Sequence, residues 1–217
     1  MVRKQFHTEM RHLKSEVLRM GEIAREAVTL AVDSLKTQDV EMADRVHILE
    51  EESDVLNLEI NDRSMMLTAT QQPVASDLRF VSTMMKISDS FERICDYAQK
   101  IARITKKSAH KPLLKPLIDI PRMSENIQKM IDLDLDAIKE RDVRPTDQLE
   151  PMDDEIDALY VQIYNELLTF MLKDAATIDD ATDLLFVARY LERIGDITCK
   201  VGSKIVFMVE GKRVWIK

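Results

Sequence analysis

Four pairs of acidic side chains are spaced so that they can act together: Glu50 with Asp54, Glu92 with Asp96, Asp153 with Asp157, and Glu192 with Asp196. Residues four apart share one face of a helix, so each pair projects its carboxylates in one direction. On an isolated helix such like charges cost only about 0.2–0.5 kcal/mol, and a single pair is compatible with an ordinary solvated face. Two pairs on facing helices make a cluster of hard oxygen ligands instead. Such a cluster suits iron, manganese, magnesium or calcium, with zinc also admissible. Arg93 and Arg193, each beside a glutamate of the set, offer the alternative of a metal-free salt-bridge network. Spacing leaves both open and does not choose a metal.

The pairs recur in order. Glu92-Arg93-Ile94-Cys95-Asp96 returns 100 residues later as Glu192-Arg193-Ile194-Gly195-Asp196. Glu50 and Asp54 return 103 residues later as Asp153 and Asp157, in a stretch where Met20 also matches Met123, Lys36 matches Lys139 and Ile60 matches Ile163. The change of offset places a three-residue length difference in one loop. Two copies at so long a period indicate a duplicated helical unit rather than a solenoid.

The elements that must position these acids are helices. Phe6, Met10, Leu13, Val17, Met20, Ala24, Ala27, Ala31 and Ser34 step by fours and threes, which predicts a helix over about 4–37. Asp39 opens a second helix, with Ala43, Val46, Leu49, Ser53, Leu56 and Ile60 on its seam, running towards Thr70. Gln71-Gln72-Pro73 breaks it, and Pro73 suits an early position of a third helix that continues to about Thr105. Lys106–Pro121, with prolines at 112, 116 and 121, reads as the linker; its core, 108–121, separates a first unit (1–107) from a second (122–217). A second trio follows over about 122–141, 146–173 and 178–211, with Pro145 and Pro151 near the start of its middle helix. The expected fold is all-α: two tandem antiparallel three-helix bundles, side by side, related by duplication. In each bundle one acidic pair lies on the middle helix and one on the last, so a hairpin brings four carboxylates to one level.

Composition agrees with this class. Four Gly and six Pro against 32% charged residues favour a helix-rich chain, and 217 residues are ample for a core. A net charge of −8 argues against nonspecific nucleic-acid binding and fits cation binding or a basic partner. No apolar run reaches the ~18–20 residues of a membrane span, and Met-Val-Arg-Lys-Gln-Phe lacks a signal peptide's apolar core. The unpaired Cys95 and Cys199 fit a reducing compartment.

Other chemistry is poorly supported. A ferritin-like di-iron site needs two Glu-x-x-His motifs; only Glu9 to His12 is present, read as a surface pair, with His47 read as a surface or interhelical histidine. There is no Gly-rich phosphate loop, no Gly-x-Ser-x-Gly and no Cys/His pair in a recognisable setting. Met65-Met66 and Met84-Met85 are read as core filling. The basic, aromatic tail Lys212–Lys217 is read as frayed or packed on the body.

The string Thr70-Gln71-Gln72-Pro73-Val74-Ala75-Ser76-Asp77-Leu78-Arg79, with Lys86-Ile87 and Glu92–Asp96 after it, closely resembles the first repeat of the PhoU family of phosphate-transport regulators. Ala188–Asp196 resembles the matching part of the second repeat, and length, linker and helix order agree over nearly the whole chain. The resemblance implies two three-helix bundles in a cytoplasmic, non-enzymatic, often dimeric protein. It implies negative regulation of phosphate uptake, by contact with the ATPase and permease subunits of a phosphate ABC transporter and with a sensor histidine kinase, so that any membrane association runs through partners. It also implies multinuclear iron or zinc clusters, carried over by position onto Glu50, Asp54, Glu92 and Asp96 and onto Asp153, Asp157, Glu192 and Asp196. The chain departs from the family pattern at Cys95, where a glycine is usual, and at Lys100 and Lys200, where Asn is frequent. The competing class is a metal-storage or metalloenzyme bundle, which predicts an open coordination position and turnover.

Overall fold

The computed structural model describes residues 2–216. Among these the elements are α1 (Val2–Thr37), α2 (Val40–Gln71), α3 (Ser76–Ser108), α4 (Asp119–Glu140), α5 (Leu149–Lys173) and α6 (Ile178–Glu210). Short 3-10 turns, Arg144–Gln148 and Ala175–Thr177, precede α5 and α6, and no strand occurs among the described residues. Every residue of the α1 seam, from Phe6 to Ser34, is buried. Each fully buried Leu or Ile there contributes about 1.5–3 kcal/mol, so packing rather than propensity holds so long a helix. Asp39 caps α2, accepting the backbone N–H groups of Glu41 at 2.9 Å and Met42 at 3.1 Å.

α1, α2 and α3 form one antiparallel bundle, and α4, α5 and α6 form the second. They meet where α3 packs on α6 and α1 on α4. Three contacts fix the register of the antiparallel α3–α6 pair. The Tyr97 and Tyr190 rings lie 5.7 Å apart, Lys107 pairs with Asp183 at 2.8 Å, and Lys204 donates to Ser90 Oγ and, at 3.0 Å, to the Lys86 carbonyl. This register sets Glu92–Asp96 and Glu192–Asp196 side by side, halfway along the two helices. At the far side Arg25 of α1 pairs with Asp132 of α4 at 2.9 Å. Between α4 and α6 one carboxylate stands out: Asp134 is fully buried, and neither of its oxygens has a hydrogen-bond partner.

Several expectations about boundaries and burial need correction. Pro73 lies in the α2–α3 turn, not in α3, because Gln72 and Ala75 both take positive φ (47° and 48°) and delay the helix to Ser76. Lys106 and Lys107 belong to α3, and Pro121 falls in the first turn of α4, where its missing N–H costs nothing. The intervening segment is pinned rather than loose. Leu113, Leu114 and Leu117 pack on the core, Lys111 pairs with Asp180, Lys115 pairs with Glu166, and Gln38 Nε2 donates to the Lys111 carbonyl at 2.6 Å. Met84 is in the core as expected, but Met65 and Met66 are more than half exposed on α2, off its seam. No helix is long and apolar enough to cross a membrane.

Candidate functional site

The first carboxylate face lies across α2 and α3. Glu50 is set by Gln99, a buried α3 residue whose amide donates to Glu50 Oε2 and lies 3.0 Å from His47 Nδ1. His47 therefore bridges helices, as the interhelical reading allowed. Two turns along α2, Asn57 accepts from Ser88, which keeps α2 and α3 in step and leaves Asp54 level with Glu92 and Asp96. Burial raises the pKa of Glu50, and Asp54 and Asp96 raise it further. Burial followed by Asp96 does the same to Asp54, and burial followed by Asp96 and Asp54 to Glu92. Mutual repulsion of this kind requires that the carboxylates from both helices converge.

The second face, across α5 and α6, repeats the arrangement more deeply. Asp153 is 5% exposed and its pKa is pushed up to about 7 by burial, then by Asp157, Asp196 and Glu192. Asp157 and Glu192 are raised as well, each first by burial. Cations compete for this face: Arg189 reaches Glu192 at 2.7 Å, and Arg193 lies 3.8 Å from Glu192 and 3.3 Å from Asp196. Lys200 lies 3.6 Å from Asp196, as Lys100 lies 3.8 Å from Asp96 on the first face. The two lysines at the departures from the family pattern thus put their charges beside the second acid of each pair. Arg93, the expected counterpart of Arg193, is exposed and makes no ion pair among the described residues. Gln99 and Arg189 were not anticipated from spacing, since their roles depend on the facing helix. Glu9 pairs with Arg63 at 3.1 Å rather than with His12.

The exchange of Cys95 for glycine has a local explanation. A Cβ at Gly195 would stand 2.6 Å from Asp153 Oδ1 and 3.2 Å from Ile156 Cδ1, so only glycine lets α5 come this close. On the first face Ser53 occupies the position equivalent to Ile156, and the smaller side chain makes room for the thiol. Burial pushes the Cys95 thiol up to about 12, with the neighbouring Ser53 hydroxyl opposing it. It is a packing group, not a reactive thiolate.

The donor set fits a hard or borderline cation: oxygen ligands converge from two helices, and buried Glu192 Oε2 has no hydrogen-bond partner. As the side chains stand, no three of the His, Cys, Asp and Glu groups among the described residues close on one point at metal-binding distance. A bound cation would draw them inward.

The PhoU domain family model matches residues 17–105 and 120–205, one copy per bundle. The "phosphate-specific transport system accessory protein PhoU homolog" of Clostridium acetobutylicum is 36% identical over 99% of this chain and 98% of its own length. That of Aquifex aeolicus is 34% identical over 95% and 93%. The crystal structure of PhoU from Pseudomonas aeruginosa superposes with a TM-score of 0.91 at 27% identity, covering 95% of this chain and all of that one. With both repeats matched and relatives aligned end to end, the chain belongs to the PhoU family.

Proposed function

We propose that this protein is a non-enzymatic, cytoplasmic negative regulator of phosphate uptake and of the phosphate-starvation response. It acts, as a homodimer, by contact with the ATPase and permease subunits of a phosphate ABC transporter and with a sensor histidine kinase. Family membership supports the phosphate side of this reading, since the relatives are named as accessory proteins of the phosphate-specific transport system. One structural observation carries the mechanism: two carboxylate faces lie side by side on α3 and α6 and are held in register. Multinuclear iron or zinc held by Glu50, Asp54, Glu92 and Asp96, and by Asp153, Asp157, Glu192 and Asp196, would neutralise and stiffen these faces. Docking then shifts the transporter and kinase by preferring one of their conformations.

The test is the affinity of the purified transporter ATPase for this protein, as purified, after chelation, and with Glu192→Lys and Asp196→Lys together. The reading expects weaker binding in both altered states. Unchanged affinity in both removes the carboxylate faces from the docking surface.

A further inference from the structure

At the end of the molecule where α1 and α3 begin and α4 and α6 finish, basic side chains gather in one groove. A groove of about 610 Å³ there is lined by His7, Arg11, Lys14 and Arg141, with Phe80 as its floor and Asp77 as the one carboxylate among the described residues that line it. Asp77, Phe80 and Arg141 also line an adjoining hollow that contains Arg79. Four arginine and lysine side chains thus converge on a protein whose net charge is −8.

What these cations do not do is informative. Arg141 holds a left-handed backbone at the end of α4 (φ 54°), and its guanidinium lies 4.6 Å from the centre of the Phe80 ring. Arg79 packs on Gly211, and its buried Nε has no hydrogen-bond partner. Among the described residues Arg11 donates to Thr8, and Lys14 to the Lys139 carbonyl. Among the described residues none of the four forms an ion pair with a carboxylate. At the opposite end of the same helices, by contrast, Lys107 and Lys111 are matched by Asp183 and Asp180. Burial, then Arg141, pulls the Lys14 ammonium below its usual range, with Glu140 opposing them, so the cations crowd one another. Asp77 and Arg79 come from the Gln71–Arg79 string, which the carboxylate faces do not use.

We propose that this groove binds a phosphoryl oxyanion through Arg11, Lys14 and Arg141, with Arg79 of the adjoining hollow reinforcing the site from beside it. Guanidinium forks match phosphate oxygens two at a time, which a lone carboxylate partner cannot fully use. The groove is larger than one orthophosphate needs, so the anion is either free phosphate or the phosphate chain of a longer molecule. The groove lies apart from the carboxylate faces and does not depend on them.

Isothermal titration calorimetry with inorganic phosphate and with tripolyphosphate, at matched ionic strength, tests this on the full-length protein. Wild type should bind one or both saturably, and Arg11→Gln and Arg141→Gln should each weaken binding by about tenfold. Arg19→Gln, a remote change of equal charge paired with Glu52, should leave it unaltered. Binding of orthophosphate identifies the free anion, and binding of tripolyphosphate alone identifies a phosphate chain. Circular dichroism checks folding; should Arg141→Gln unfold, the exposed Arg11→Gln decides alone. Absence of binding to wild type, or equal binding by all variants, overturns the proposal.

Discussion

Asp153 Oδ1 lies 2.6 Å from where a Cβ on Gly195 would stand, so the buried acid of α5 occupies the space that glycine leaves on α6. Gly195→Ala should therefore destabilise the fold by about 1–3 kcal/mol, the cost of overpacking a filled core, despite alanine's better helix propensity. The urea midpoint reads this directly; an unchanged or higher midpoint would show that Asp153 moves aside freely.

The first bundle solves the same problem with Cys95 and Ser53, which predicts coupling. Ser53→Ile should overpack the thiol, and Cys95→Gly should relieve it, so the double variant should be more stable than the two single losses sum to, by about 0.5–3 kcal/mol. A double-mutant cycle by denaturant unfolding measures that term, and additivity would refute it.

Asp134 gives a pH dependence of known sign. Burial holds its folded pKa well above the ordinary 3.8, with Lys204 only partly opposing. The folded state then keeps a proton that the unfolded state releases, so this residue's contribution falls as pH rises above about 4 and continues to fall until the folded pKa. Asp134→Asn should raise stability at pH 8 relative to wild type and flatten the decline between pH 5 and 8. Parallel slopes for both proteins would mean that Asp134 does not hold its proton.

Elemental analysis of untagged protein tests the metal. Several iron or zinc atoms per chain are expected, lost in part from Glu92→Ala/Asp96→Ala and in part from Glu192→Ala/Asp196→Ala. Because Arg189, Arg193 and Lys200 compete on the second face, while on the first, among the described residues, Lys100 is the one lysine or arginine ion-paired with an acid of the set and His47 lies 3.5 Å from Glu50, a chelator should strip the second face sooner. Metal-free, folded protein that still binds the transporter would reduce both faces to salt-bridge networks.

The segment between the bundles should resist proteolysis until its anchor is cut. Gln38→Leu removes the donor to the Lys111 carbonyl and should cost about 1–3 kcal/mol, with cleavage appearing first within 109–118. Cleavage elsewhere first would place the weak point outside this segment.

The six helices were legible in the sequence because a heptad seam is a local signal, and the repeat was legible because duplication copies side chains in order. The acids could be placed on helix faces for the same reason. What escaped depends on neighbours across helices. Pro73 resembled a helix start until two positive-φ residues intervened, and Met65 and Met66 sat one step off the buried seam of α2. The need for glycine at 195 is set by Asp153 and Ile156, not by its own helix. The basic groove draws Arg11, Arg79 and Arg141 from α1, α3 and the end of α4, with no common spacing to reveal it.

Under the proposed docking, the side-by-side register of α3 and α6 would also set the strength of binding. A partner that grips one acidic face finds the second already within reach, at an effective concentration far above that of the free protein. Two weak contacts joined in this way exceed either alone by about 10²–10⁴-fold. Loss of either face would then release the partner almost completely, turning two graded sites into a near all-or-none latch.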